Sequence, residues 1–215
     1  MTKVKRLVFS PFQENTFIIY DETGECVIID PGMLYDNENN ELVETINRLK
    51  LRPVRVLLTH AHLDHIFGCS FMFKKYGLLP EGHIADEFIL ENTVIYATQF
   101  GIELLENPPK LGKYLDENDK ISFGNATIEI IHVPGHSPGS LVYYLPESKN
   151  LFSGDVLFQY DIGRTDLAGG NHDQLIKGIK EKLMILPDDV CVYPGHGPKT
   201  TIGVERERNP YIKIR

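Results

Sequence analysis

The chain has 215 residues, 42 % apolar and 24 % charged, with a formal net charge of −8. A chain of that size and make-up buries a large core without disulfides, and residues 1–215 read as one globular domain. The acidic balance excludes the basic face that nucleic acid or an anionic membrane would need, and no run approaches the roughly 20 apolar residues of a membrane span.

Residues 17–20 and 26–29 are β-branched and aromatic runs on either side of Asp21-Glu22-Thr23-Gly24, a hairpin pattern. Asp30-Pro31-Gly32 ends the second run, because proline cannot serve inside a central strand. Residues 41–50 carry Leu42, Ile46 and Leu49 at helical spacing, and the apolar run 54–58 is a buried strand. Helices are expected over 64–76 and over 86–100, the second with Phe88, Ile89, Val94 and Ile95 on its inner face. Residues 106–119, with Pro108-Pro109, read as an irregular loop over the active site. Strands over 127–133, 141–145 and 151–153, a helix over 174–186 and a strand over 190–193 complete the chain. Strand–helix–strand order implies mixed α/β layering, and the repeated strand–loop–strand pattern points to two similar halves facing each other. Cys26, Cys69 and Cys191 are odd in number and far apart, which fits reduced packing thiols in a cytoplasm.

The chemistry is concentrated in His60-Ala61-His62-Leu63-Asp64-His65, directly after the buried strand. His60 and His62 are two apart in an extended turn and point the same way. Asp64 and His65 lie where the chain starts to coil and can face a second ion. Neutral imidazole and carboxylate are donors that zinc, manganese and iron accept. Further along, His136 lies in the Pro/Gly turn 133–140, Asp155 at a strand end and His196 in Pro194-Gly195-His196-Gly197-Pro198. Each of these three is a weak signal alone. Together with the cluster they converge on one rim.

These motifs resemble the metallo-β-lactamase fold superfamily and, within it, the short bacterial glyoxalase II-like hydrolases. The likeness extends through Gly154-Asp155-Val156-Leu157-Phe158, Ile162-Gly163-Arg164-Thr165-Asp166 and Gly195-His196-Gly197-Pro198-Lys199. It implies a four-layered αβ/βα sandwich with two divalent ions, zinc first, iron or manganese otherwise, at one edge of the sheets. By the same resemblance His60, His62 and His136 hold one ion, Asp64, His65 and His196 the other, and Asp155 bridges both. The implied reaction is cleavage of a small thioester or ester by a hydroxide shared between the ions, with Asp64 orienting that hydroxide or passing a proton to the leaving group. Full-length glyoxalase II enzymes add a helical glutathione-gripping domain; only residues 197–215 follow His196, so that domain is expected to be missing. The same resemblance leaves a mononuclear iron persulfide dioxygenase and a lactonase as alternatives.

Three residues are candidates for substrate contact. His172 neighbours the Gly169-Gly170 turn, Tyr160 follows the Asp155 motif, and Arg164 either anchors a substrate carboxylate or braces the rim by pairing with Asp166. His83 and His132 lie outside every motif and read as structural.

Overall fold

The computed structural model describes residues 1–104 and 107–213. Its strands are β1 (Lys3–Phe9), β2 (Glu14–Tyr20), β3 (Glu25–Ile29), β4 (Arg52–Leu57), β5 (Pro80–Gly82), β6 (Lys113–Tyr114), β7 (Lys120–Phe123), β8 (Ala126–His132), β9 (Leu141–Leu145), β10 (Asn150–Gly154), β11 (Leu157–Phe158), β12 (Asp161–Ile162), β13 (Cys191–Pro194) and β14 (Thr200–Thr201). The helices are α1 (Asp36–Arg48), α2 (Leu63–Ile66), α3 (Cys69–Tyr76), α4 (Glu87–Glu91), α5 (Thr93–Gln99), α6 (His172–Gly178) and α7 (Ile202–Arg208).

Two six-stranded sheets are formed, in the orders β1-β2-β3-β4-β5-β6 and β14-β13-β10-β9-β8-β7. Alternation along the central strands explains the layering, because successive side chains leave a strand on opposite faces. From β2 and β3, Phe17, Ile19, Val27 and Ile29 point between the sheets, where they meet Ile128, Ile130, Leu141, Tyr143 and Phe152. Ile18, Cys26 and Ile28 point outward and are covered by Leu42 and Ile46 of α1 and Met72 of α3. On the far side, Val142, Tyr144, Leu151 and Val192 are covered by Leu175 of α6, Ile179, Leu183 and Ile202 of α7. Strands buried on both faces must be apolar throughout, which is why runs such as 26–29 carry no polar alternation. The architecture is therefore an α/β four-layered αβ/βα sandwich.

Several boundaries differ from the sequence reading. The 64–76 helix is two helices, because Gly68 turns its N–H to Pro31 O at 2.7 Å, so close that a side chain there would meet that same carbonyl. α1 starts earlier than expected, because the Glu38 carboxylate accepts the N–H groups of Leu34 and Tyr35 ahead of it. The 86–100 segment is α4 and α5, and its buried side is Ile89, Leu90, Thr93 and Ala97, with Phe88 and Ile95 exposed. The 174–186 helix is α6, begun by an Asn171 side chain that accepts from Gln174 N, followed by a π-helical turn, Ile179–Leu183. Glu106 lies outside the described residues. The rest of the supposed loop supplies edge strand β6, while Asn107 binds Glu91 O and Val94 N on α4 and α5. β1 had no expected strand at all, since Lys3, Lys5 and Arg6 break its apolar pattern, as suits an edge.

Candidate metal centre

The chemistry-bearing residues sit where strands end. β3 runs into Asp30, β4 leads to His60 and His62, β10 runs into Asp155 and β13 leads to His196. β3 pairs parallel to β4 and β10 parallel to β13, so these are carboxyl ends of parallel strands, the edge at which α/β sheets receive ligands. Asp64 and His65 follow on α2, and the β8–β9 turn brings His136 across from the second sheet. Two glycines permit the convergence. Gly154 has φ +48° and passes where a side chain would collide with Thr59, and a side chain at Gly195 would collide with Asp155 and His65.

All seven residues singled out in the sequence come together. His136 Nε2 lies 2.8 Å from His62 Nδ1 and 3.2 Å from His60 Nε2. Donors bonded tetrahedrally at about 2.1 Å stand about 3.4 Å apart, so three imidazole nitrogens here have roughly the spacing of one ion's ligands. A second group, Asp64, His65 and His196, has His196 Nε2 at 3.0 Å from Asp64 Oδ2 and His65 Nε2 at 3.8 Å from it. Asp155 lies between the groups: its Oδ1 is 3.5 Å from His65 Nε2, and its Oδ2 is 3.6 Å from His196 Nε2 and 3.7 Å from His136 Nε2.

The outer nitrogens of four imidazoles are engaged, which aims the inner ones. His65 Nδ1–H donates to Asp30 at 2.9 Å, His136 Nδ1–H to Arg164 O at 2.8 Å and His196 Nδ1–H to Phe12 O at 3.1 Å. His60 Nδ1–H donates to Thr59 Oγ1 at 3.0 Å, whose own proton goes to Asp30 at 2.6 Å. This is the outer-shell arrangement that fixes a histidine for a metal. His65 Nε2 and Asp155 Oδ1 are buried with no hydrogen-bond partner. Orphaned donors of that type are costly unless something else, such as a cation, completes them. The residues fit divalent ions.

Charge follows the same division. Burial pushes the His60 imidazole well down and holds His62 down at about 3, neighbouring His136 adding to both, so these stay neutral. Burial also works against a charged His65, but Asp64, Asp155 and Asp30 outweigh it and hold its pKa well up. His196 is raised too, burial being overcome by its bond to Asp64. Asp64 and Asp155 are held low despite burial, chiefly by His65. The second group thus carries a proton where a cation would otherwise balance the acids.

Some functional residues left no sequence signal. Asp30 was read only as a strand end, yet its carboxylate takes Thr59 N–H at 2.7 Å, the Thr59 hydroxyl and His65 together, from a left-handed backbone at φ +49°. Asn15 on β2 donates to Pro194 O and Gly197 O, clamping the His196 loop of one sheet to the other. Glu14 is fully buried behind this clamp, and burial raises its carboxyl well above 4.5. Thr16 Oγ1 has one proton and lies 2.7 Å from Asp30 O and 2.8 Å from Glu14 Oε2. A carbonyl can only accept, so that proton goes to Asp30 O, and Glu14 must be the acid that donates to Thr16.

Of the three candidates for substrate contact, Arg164 pairs with Asp166 through two 2.7 Å bonds from its guanidinium, and its carbonyl accepts from His136 Nδ1–H. His172 is exposed at the start of α6 and Tyr160 is exposed at the left-handed φ +63°. His83 and His132 stack at 4.2 Å; Ala85 N–H donates to His83 Nδ1, and His132 Nε2–H donates to Pro138 O in the His136 turn.

The sequence profile of the metallo-beta-lactamase superfamily matches residues 9–196. The chain belongs to this superfamily. Among curated relatives in it, the probable metallo-hydrolase YqgX of Bacillus subtilis is 36 % identical, over 98 % of this chain and 97 % of that one. The hydroxyacylglutathione hydrolase GloC of Haemophilus influenzae is also 36 % identical, over 95 % of each. Among solved structures, BLEG-1 B3 metallo-beta-lactamase superposes with a TM-score of 0.86 at 37 % identity, covering 98 % of this chain and 99 % of its own. TTHA1623 in a di-iron-bound form gives 0.87 at 35 %, covering 96 % and 99 %. ETHE1 from Myxococcus xanthus gives 0.78 at 26 %, covering 97 % and 83 %. Among the described residues no helix is long and apolar enough to cross a membrane.

Proposed function

We propose that this superfamily member is a binuclear metallo-hydrolase that cleaves small thioesters of the hydroxyacylglutathione kind. The observation that carries the proposal is the pair of donor groups, His60/His62/His136 and Asp64/His65/His196, with the Asp155 carboxylate within 3.7 Å of both. His60, His62 and His136 would hold the first ion, Asp64, His65 and His196 the second, and Asp155 both. Divalent ions held there, zinc first among them, would supply a bound water of pKa near ~7 and polarise a carbonyl.

The remaining work falls to the chain itself. Asp155, closed in by Gly195 and Gly154, fixes the spacing of the two donor groups. Phe12 O, Arg164 O and Asp30 accept the outer N–H of His196, His136 and His65 and so turn their inner nitrogens toward the centre. Asp64 would orient the attacking water or carry the proton that this water releases to the departing sulfur, and no serine or cysteine nucleophile is required. GloC, at 36 % identity over nearly the whole chain, supports a glutathione thioester as substrate class. The domain is proposed to act as one unit on a small molecule in the cytoplasm.

Elemental analysis and thiol release from a hydroxyacylglutathione thioester test this together. About two ions per chain, with hydrolysis lost to a chelator and restored by zinc, is expected. The mononuclear iron persulfide dioxygenase that the family resemblance implies is the second reading; one iron per chain and oxygen uptake on a persulfide would replace the hydrolase with it. Preferred turnover of a lactone would replace the thioester.

A further inference from the structure

The sheets are tied below the centre by Leu141 N–H to Thr59 O at 2.7 Å and by Tyr143 OH to Leu58 O at 2.6 Å. Those bonds hold strands. The loops above them, 60–62 on one sheet and 136–139 on the other, meet through a different group. Asp86 lies at the end of the short 3-10 turn Ile84–Asp86, outside every motif of the sequence, and is 3 % exposed. Its Oδ2 accepts Ala61 N–H at 3.1 Å and the Ser137 hydroxyl at 2.8 Å; its Oδ1 accepts Gly139 N–H at 2.6 Å. Ala61 is the residue between His60 and His62, and Ser137 follows His136. A side chain at Gly139 would collide with the same carboxylate.

We propose that Asp86 is the positioning residue of the first metal site, setting the distance between the His60-Ala61-His62 loop and the His136 turn. The inference rests on the two-ion reading above. Three backbone and hydroxyl donors from two sheets converge on one buried carboxylate, and no other described residue outside the two loops bonds to both. Asp86 also supplies charge. A buried anion one hydrogen bond from the main chain of the first ion's histidines would offset the cation where water cannot. Asparagine at this position keeps the shape, loses the charge and turns an N–H group against at least one of the three donors.

The test isolates the first site. In a His196→Ala parent, which disables the second donor group, zinc affinity is measured by competition with a chromophoric chelator. Cobalt absorption reports the coordination of the same site. Adding Asp86→Asn should weaken zinc about 10–100-fold, the range for losing an outer-shell partner, and change the cobalt spectrum. Adding Ser137→Ala, which removes one tie and no charge, should weaken it less, and this variant decides the matter if Asp86→Asn does not fold. Parent-like affinity and spectrum in the folded variants would overturn the role of Asp86 while leaving the two-ion reading intact. A parent that binds no zinc would overturn both.

Discussion

Replacing Asp30 with asparagine separates orientation of a histidine from folding of the strand that precedes it. The left-handed backbone at φ +49° tolerates Asn as it does Asp, and the Asn oxygen can still accept Thr59 N–H. The oxygen lost is the one that takes both the Thr59 hydroxyl at 2.6 Å and His65 Nδ1–H at 2.9 Å. An NH₂ group in its place can donate to Thr59 but opposes the His65 proton. His65 then moves its proton to Nε2, where the lone pair for an ion should be. A hydrogen bond to a charged acceptor contributes about 1.5–3 kcal/mol, and 1.4 kcal/mol is a factor of ten, so the ion held with His65 should weaken about 10–100-fold. His60 is reached only through Thr59, so the other ion should weaken less. Zinc titration of the metal-free variant against a chelator resolves the two equivalents. If both bind Asp30→Asn within about twofold of the wild type, the orienting role assigned to Asp30 is wrong.

Asp155→Ala should lower metal content at both sites and abolish turnover, whereas His136→Ala should empty chiefly the first; elemental analysis distinguishes them, and near-normal turnover by Asp155→Ala would end its bridging role. Zinc uptake should depend on pH unequally. His65 and His196 have raised pKa values and must release protons to bind, so affinity at their site should rise as pH climbs above the ordinary histidine value of 6.5. The site of His60 and His62, already neutral, should change less over that range, and equal slopes in a chelator competition would contradict the division of charge. In chelated protein Glu14→Gln should gain stability over the wild type as pH rises. A raised carboxyl contributes stability fully below about 4.5 and loses it as pH climbs through the folded value, while glutamine stays neutral and can still donate to Thr16. Thermal melts from acid to alkaline pH should show Tm values that converge at the acid end; a constant deficit for Glu14→Gln would mean the buried group is not a neutral acid.

The fold class and the seven clustered residues were legible in the sequence for a physical reason. A metal site needs particular side-chain types, His60-Ala61-His62-Leu63-Asp64-His65 gathers them locally, and strands buried on both faces must be apolar from end to end. The supports were not legible. Asn15 bonds to backbone carbonyls and Asp30 and Asp86 in part to backbone amides, which almost every residue possesses, while Glu14 meets a lone threonine hydroxyl, so nothing in their own neighbourhoods marks them. Asp86 resembles any helix-capping acid until the second sheet brings Ser137 and Gly139 against it. The same holds for the helices: periodicity placed α4 and α5 approximately, but which side of them is buried depends on the packing of distant segments. Side-chain chemistry is carried along the chain, whereas burial, tautomer and charge balance arise only when distant segments exclude water from one another.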